Sequence, residues 1–313
     1  MREGVYFMGT SNNFITAETT FPAAIHAWEV YLADQGRSVY TIKAFRGDIQ
    51  LMASYFAPDK TLGSVTTRDI NAFLDWMDNK RKIPCSPKTY SRRVTSIKSF
   101  FKWLTAFGVL DEDPAERVIQ QAAVSPLPEI LTMEEYHQVL ETANSYRTAS
   151  KPDARYLVLL QLLLATGIKK GETLEISKNH IERDDPEAPA LYIRYANPEN
   201  RYKERKLELP VDWLTVYDEY VAQYDIQDKI FPWSPRRLEY LLEDIGKEAG
   251  LTKHLSFAMC RWTCATHDYC LNSSPEAIRT KLGVSRIQWR ELFIKLKQLK
   301  PIYTGEETES TEE

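Results

Sequence analysis

The sequence predicts a mainly α protein with one small antiparallel β-sheet, an α+β chain divided into two domains. Three observations carry that expectation. Apolar residues recur at helical spacing through most of the 313 residues, strand signals are confined to the stretch 190–209, and a proline-bearing segment around Pro126 separates two blocks that are each long enough to bury a core. The expected boundaries are a flexible N-terminus at 1–18, a helical domain at 19–118, a linker at 119–130, a second domain at 131–300 and an acidic tail at 301–313.

In the first block, Phe21 to Gly36 reads as a helix that stops at a glycine, and Ser38 offers the N-cap of a second. Phe45, Ile49, Met52 and Phe56 then recur on one helical face. Thr66 or Thr67 can cap a third helix with the stripe Ile70, Phe73, Leu74 and Met77, and Ser86-Pro87 opens a fourth, with proline at its favoured first position. Along this fourth helix Tyr90, Val94, Ile97, Phe101 and Leu104 gather on one side, while Lys88, Arg92, Lys98 and Lys102 fall on the other.

The second block opens at Thr132 with a capping-box pattern and a helix to about Thr142, followed by an apolar stretch from Tyr156 to Ala165 that predicts a buried central helix. Ala190 to Tyr195 and Lys206 to Leu209 flank a polar connection, predicting a β-hairpin with a long basic loop. Helices are expected again at Asp212 to Tyr224, Pro235 to Ala249, Phe257 to Leu271, Pro275 to Leu282 and Ser285 to Leu299.

With 43% hydrophobic and 27% charged residues the composition excludes a fibrous or wholly disordered chain. Met1 to Glu18 lacks a basic region followed by an apolar core, and the longest apolar run is too short for a bilayer, so the expectation is a cytoplasmic protein with no membrane partner, nucleoid-associated in a bacterium or archaeon. Its four cysteines, Cys85, Cys260, Cys264 and Cys270, lack metal-ligand spacing. Neither a metal nor a cofactor is expected. The net charge of −4 argues against indiscriminate affinity for nucleic acid, but the charge is segregated. Lys80, Arg81, Lys82, Lys88, Arg92, Arg93, Lys98 and Lys102 lie between Asn79 and Lys102 with no acid among them, while Glu306 to Glu313 carries glutamates and no base.

Several motifs occur in a telling order. The first domain holds Ser86-Pro87-Lys88-Thr89-Tyr90, Phe100-Phe101-Lys102-Trp103-Leu104, Gly108 and Asp113-Pro114-Ala115. The second holds Ala165-Thr166-Gly167-Ile168-Lys169, Ile230-Phe231-Pro232, Ser256-Phe257-Ala258-Met259-Cys260-Arg261-Trp262-Thr263 and Leu282-Gly283. From Phe21 to Leu299 the chain resembles the tyrosine recombinase or phage integrase family, of the XerC/XerD type. The resemblance implies a helical core-binding (SAM-like) domain followed by a catalytic-type domain, acting in DNA recombination and integration.

In that family a tyrosine attacks the DNA phosphodiester, two arginines neutralise the transition state, a hairpin lysine protonates the leaving oxygen and histidines assist. Position by position, the resemblance places Lys169 where the first arginine belongs, Asn200 near the hairpin lysine, Ala258 at the first histidine and Arg261 at the second arginine. Val284 falls at the later histidine and Phe293 at the nucleophile. Phenylalanine has no oxygen with which to attack. The implied function is therefore a DNA-binding pseudoenzyme: an accessory, architectural or regulatory factor that has lost strand cleavage.

Its expected partner is double-stranded DNA, contacted by the Lys80 to Lys102 cations and by Lys169, Arg201, Lys203, Arg205 and Arg261. Two alternatives stand beside it. One is an atypical recombinase using Tyr303, on a mobile chain end beyond Pro301, or a tyrosine supplied by a partner. The other is an oligomerising interaction module, self-associating or joining related recombinases through Ser285 to Leu299, whose Ile287, Trp289, Leu292, Phe293 and Leu296 supply apolar surface. Tyr269, His254 and His267 are expected to be packing or capping residues rather than displaced catalytic groups.

Overall fold

The computed structural model describes residues 15–83, 85–119 and 126–305. Most of the expected flexible N-terminus, the centre of the linker and residues 306–313 of the expected acidic tail lie outside the described residues. Internal packing divides the chain between Pro126 and Leu127.

The first unit is a helical bundle: α1 (Phe21–Asp34), α2 (Val39–Tyr55), α3 (Thr67–Asp75), which runs on into a π-helical turn at Trp76–Lys80, and α4 (Pro87–Ala106). Each start has a local cause. Ser38 and Ser86 accept from the backbone of Thr41 and Thr89, and Thr66 and Asp69 form a reciprocal capping box. Trp28, Ile49, Met52, Ile70, Phe73, Ile97, Phe100 and Phe101 fill the core, with the Phe100 ring edge-on to Trp28 at 5.2 Å. Beyond α4, Ala115 and Val118 are buried in the same core, and Thr67 Oγ1 donates to Pro114 O at 2.8 Å.

α2 and α4 meet where Arg92 and Ser96 of α4 bond to Asp48 near the middle of α2, and Phe56 and Phe100 both pack on Phe21 of α1.

The second unit comprises α5 (Met133–Thr148), α6 (Arg155–Thr166), α7 (Lys170–Glu175), strands β1 (Ile181–Glu182), β2 (Ala190–Ile193) and β3 (Arg205–Glu208), then α8 (Val211–Tyr224), α9 (Pro235–Glu248), α10 (Phe257–Cys270), α11 (Pro275–Leu282) and α12 (Arg286–Thr304). The sheet is antiparallel in the order β1-β2-β3, with Leu191 opposite both Ile181 and Leu207. α6 is buried on nearly every side and is the axis of the core, as its uninterrupted apolar stretch requires.

Four elements differ from the sequence expectation. α5 continues past Thr142 to Thr148 because Ala143 is buried, Tyr146 stacks on Tyr156 at 3.9 Å and Arg147 grips Glu219 through two bonds of 2.6 Å. β1 and α7 are too short to give a period. α12 does not stop at Leu299 but passes through Pro301 to Thr304. Proline removes one helical hydrogen bond, and burial of Leu299 and Tyr303 against Ile130 outweighs that loss.

Candidate nucleic-acid interface

The second unit gathers its cations around a carboxylate that sequence reasoning passed over. α6 ends at Gly167, whose φ of +60° and whose neighbours admit no side chain: a Cβ there would lie 3.0 Å from Leu282 Cδ2 and 3.2 Å from Cys264 Sγ. This turn delivers Lys169 to the start of α7, where its backbone N–H donates to Glu172 Oε2 at 2.8 Å. Glu172 is buried and forms a two-pronged pair with Arg205, with both bonds at 3.0 Å, and Tyr195 donates its hydroxyl to the same carboxylate. Although burial alone would raise it, these hydrogen bonds and the Arg205 charge hold the Glu172 carboxyl down at about 2.

Arg205 is consequently not a free DNA contact, which corrects the sequence expectation. Its guanidinium is enclosed, donating also to Lys281 O at 2.7 Å and Lys203 O at 3.0 Å. Gly283 leaves it the room: a Cβ on that residue would stand 2.7 Å from Arg205 Nη1.

Arg261, on α10, acts as a clasp. Its Nη1 donates to Gly167 O and its Nη2 to Leu282 O, at 2.6 Å for the latter, joining the end of α6 to the end of α11. Two of its five donors are used in this way. Crowding by protein atoms, partly opposed by Glu172 and reinforced by Arg205, pulls the Arg261 pKa below its ordinary value.

Lys169 is also depressed, chiefly by desolvation and then, against the pull of Glu172, by the charges of Arg261, Arg205 and Lys203. These cations therefore lie close enough to act on one another. Lys203 donates to Asn200 Oδ1 at 2.8 Å and sits over the Tyr202 ring, while Arg201 is exposed. Beside the hairpin a cleft of about 650 Å³ is lined by Glu172, Tyr195, Arg201, Arg194 and Lys229, of which only Arg201 was anticipated as a site residue.

The remaining family positions offer no acid, base or nucleophile. Ala258 is exposed at the start of α10, and Val284 is half-buried among apolar neighbours. Phe293 stacks on Trp289 at 5.5 Å and meets the edge of Tyr269 at 5.8 Å, with Lys297 over its ring at 4.8 Å.

Tyr303 is not on a free chain end. It is buried 1% exposed, hydrogen-bonded to His267 Nδ1 at 2.7 Å, and burial pushes its hydroxyl up to about 12. Tyr303 is thus packed within the second unit rather than carried on a mobile end. His267 also stacks on Tyr136 at 5.4 Å, a packing role as expected, while His254 is exposed.

In the first unit the basic run is less free than its sequence suggests. Arg92 bonds to the buried Asp48, which also accepts from Ser96 Oγ at 2.8 Å and has Arg93 Nε at 3.5 Å. Lys80 pairs with Asp75 at 2.8 Å and Lys98 donates to Glu116 O at 3.0 Å. The counter-charge for Lys80 comes from Asp75 one turn earlier, and Arg92 and Arg93 share Asp48 of α2, so a window without acids still finds carboxylates outside it. Lys82, Lys88 and Lys102 are exposed, and Arg81 is half-buried.

Residues 25–108 match the family model described as phage integrase, N-terminal SAM-like domain. The chain is 23% identical over 290 residues to tyrosine recombinase XerD of Listeria innocua, covering 86% of this chain and 92% of that one. It is 30% identical over 155 residues to tyrosine recombinase XerC of a Mycobacterium species, covering 48% of this chain and about half, 51%, of that relative. Among solved structures it resembles the XerH site-specific recombinase bound to a palindromic difH substrate, with TM-score 0.71, 16% identity and coverage of 92% and 90%. It also resembles a lambda integrase dimer bound to a COC' core site, with TM-score 0.67, 18% identity and coverage of 88% and 77%. These likenesses establish the fold. Among the described residues no helix is long and apolar enough to cross a membrane.

Proposed function

We infer that this chain, which has the tyrosine recombinase fold and homologues among the XerC and XerD recombinases, binds duplex DNA without cutting it. One observation carries the reading. Lys169, Lys203 and Arg261 crowd together while the carboxylate at their centre, Glu172, is already satisfied by Arg205, leaving positive charge in surplus. An anion fits that surplus. At the same time Ala258, Val284 and Phe293 supply no proton-transfer group and no hydroxyl, and lysine in place of arginine at 169 loses the planar fork that grips a phosphate.

The exposed start of α4 extends the reading to the first unit. Its hydroxyl cap Ser86 and positive dipole end lie in the segment that carries the exposed Lys82 and Lys88, a suitable surface for backbone phosphates. A role as accessory or architectural factor in recombination follows, with self-association as a further part of the proposal.

The test pairs two measurements. Fluorescence anisotropy on duplex DNA should show binding that weakens at least tenfold in a Lys169→Glu, Arg201→Glu variant that keeps its melting temperature; unchanged affinity would remove the proposed surface. A nicked suicide duplex should yield no denaturant-resistant protein–DNA band. A band with the unmodified chain would overturn the loss of cleavage.

A further inference from the structure

The cleft beside the hairpin takes its walls from separate stretches of the second unit: Glu175 at the end of α7, Ser177 and His180 just beyond it, Arg194 and Tyr195 at the end of β2, Arg201 and Glu204 before β3, and Lys229. Main-chain N–H groups tie these stretches together. Ser177 bridges to Lys229, Lys178 N donates to Asp228 O at 2.9 Å, and Tyr195 N donates to Glu204 Oε1 at 3.0 Å. None of Lys169, Lys203 and Arg261 lines the cleft, so it is a second site next to the crowded cations rather than part of them.

Its polar groups are unequally engaged. Glu172 is satisfied by Arg205 and Tyr195, and Lys229 holds Glu175 Oε2 at 2.7 Å. Among the described residues the Arg194 and Arg201 guanidinium groups have no hydrogen bond or ion pair, and Arg194 faces only the Tyr192 ring at 5.4 Å. His180 accepts from Ser177 N–H at Nδ1, at 3.3 Å, so its neutral ring carries the proton on Nε2, where it can be donated. Burial, then Arg194 and Lys229, outweigh Asp228 and hold the His180 pKa below its ordinary value, which also shows that both cations act on this ring.

We propose that this cleft binds a small phosphorylated sugar, of the class of a ribonucleoside 5′-monophosphate, with its phosphate held by Arg194, Arg201 and His180. Two guanidinium forks and an imidazole N–H match a phosphate monoester, whose three terminal oxygens carry close to two negative charges. The sugar follows from the two carboxylates. Glu175 and Glu204 each keep one oxygen that neither Lys229 nor Tyr195 engages, and a carboxylate accepts from hydroxyls while repelling a polyanion. A DNA strand offers phosphodiesters and no 2′-hydroxyl, so the mixed lining suits a small ligand better than a strand. The volume of about 650 Å³ agrees, since small-molecule sites span roughly 300 to 1,000 Å³.

Isothermal titration of the full chain with adenosine 5′-monophosphate, without DNA, reads this site whether or not the chain binds DNA. The Kd should lie below about 1 mM, with adenosine at least tenfold weaker for want of the phosphate. Arg194→Ala, at an exposed position, should weaken the nucleotide at least tenfold with the melting temperature held, and should leave affinity for a 5′-hydroxyl duplex unchanged. No binding of the nucleotide up to about 5 mM overturns the site, and equal affinity for adenosine overturns the phosphate assignment. Two further results overturn the small ligand. A 5′-phosphorylated duplex that binds more tightly than its 5′-hydroxyl counterpart, except in Arg194→Ala, would assign these arginines to a DNA end. Weaker binding of the 5′-hydroxyl duplex in that variant would place the cleft on the DNA path itself.

Discussion

Glu172 shows what a linear reading of charge misses. In sequence Arg205 looked like one more phosphate contact in a basic hairpin; folded, it is enclosed with Glu172 in a pair that also takes Tyr195. Nothing in the spacing of residues 172 and 205 announces that pair, because it is made by tertiary structure between α7 and β3. Removing one partner leaves a buried charge uncompensated, so Glu172→Gln should cost roughly 3 to 5 kcal/mol of stability, read by urea denaturation. The pH dependence has a definite sign. The folded carboxyl titrates at about 2 against an ordinary 4.5, so its contribution of about 3 kcal/mol is complete above pH 4.5 and is lost as pH falls from there towards 2. The Glu172→Gln variant should lack this part of the acid limb, and an acid limb of unchanged size in that variant would dispose of the assignment.

At the scale of elements, hydrophobic periodicity and capping chemistry made most helices legible. Ser38, Thr66, Ser86 and Thr132 all cap where their side chains suggested. The end of α12 was not legible, since Pro301 is an ordinary stop signal and the burial that overrides it is supplied by Ile130 and His267, remote in sequence. Tyr303→Phe should therefore cost about 1 kcal/mol, the usual worth of a hydrogen bond, with little change in shape. Leu296→Ala, which opens a cavity at a fully buried site, should cost about 2 to 5 kcal/mol. Truncation after Gly283 would strip both residues away together. Such a chain should unfold its second unit rather than merely lose an assembly surface, and thermal melts monitored by near-ultraviolet circular dichroism distinguish the two.

For the whole molecule, the decisive distinction is between cations that hold the fold together and cations left to meet DNA. Sequence could not draw it, because Lys88 and Arg92 look alike one turn apart, yet Lys88 is exposed while Arg92 is bound to the buried Asp48. The two classes should respond differently to the same substitution. Each phosphate contact contributes about 0.9 to the slope of log affinity against log salt on duplex DNA, through release of a bound counterion. Lys88→Ala and Arg201→Ala should each reduce that slope by about 0.9 if both side chains touch phosphates, with melting temperatures held. Arg92→Ala should instead lower the melting temperature, since Asp48 loses its direct ion-pair donor and keeps only Ser96 and the longer contact to Arg93. Titrations at several salt concentrations, set beside melting curves for the same three variants, sort the residues. If Lys88→Ala and Arg201→Ala leave the slope where it was, these exposed cations serve solubility alone and the DNA path must run elsewhere on the surface.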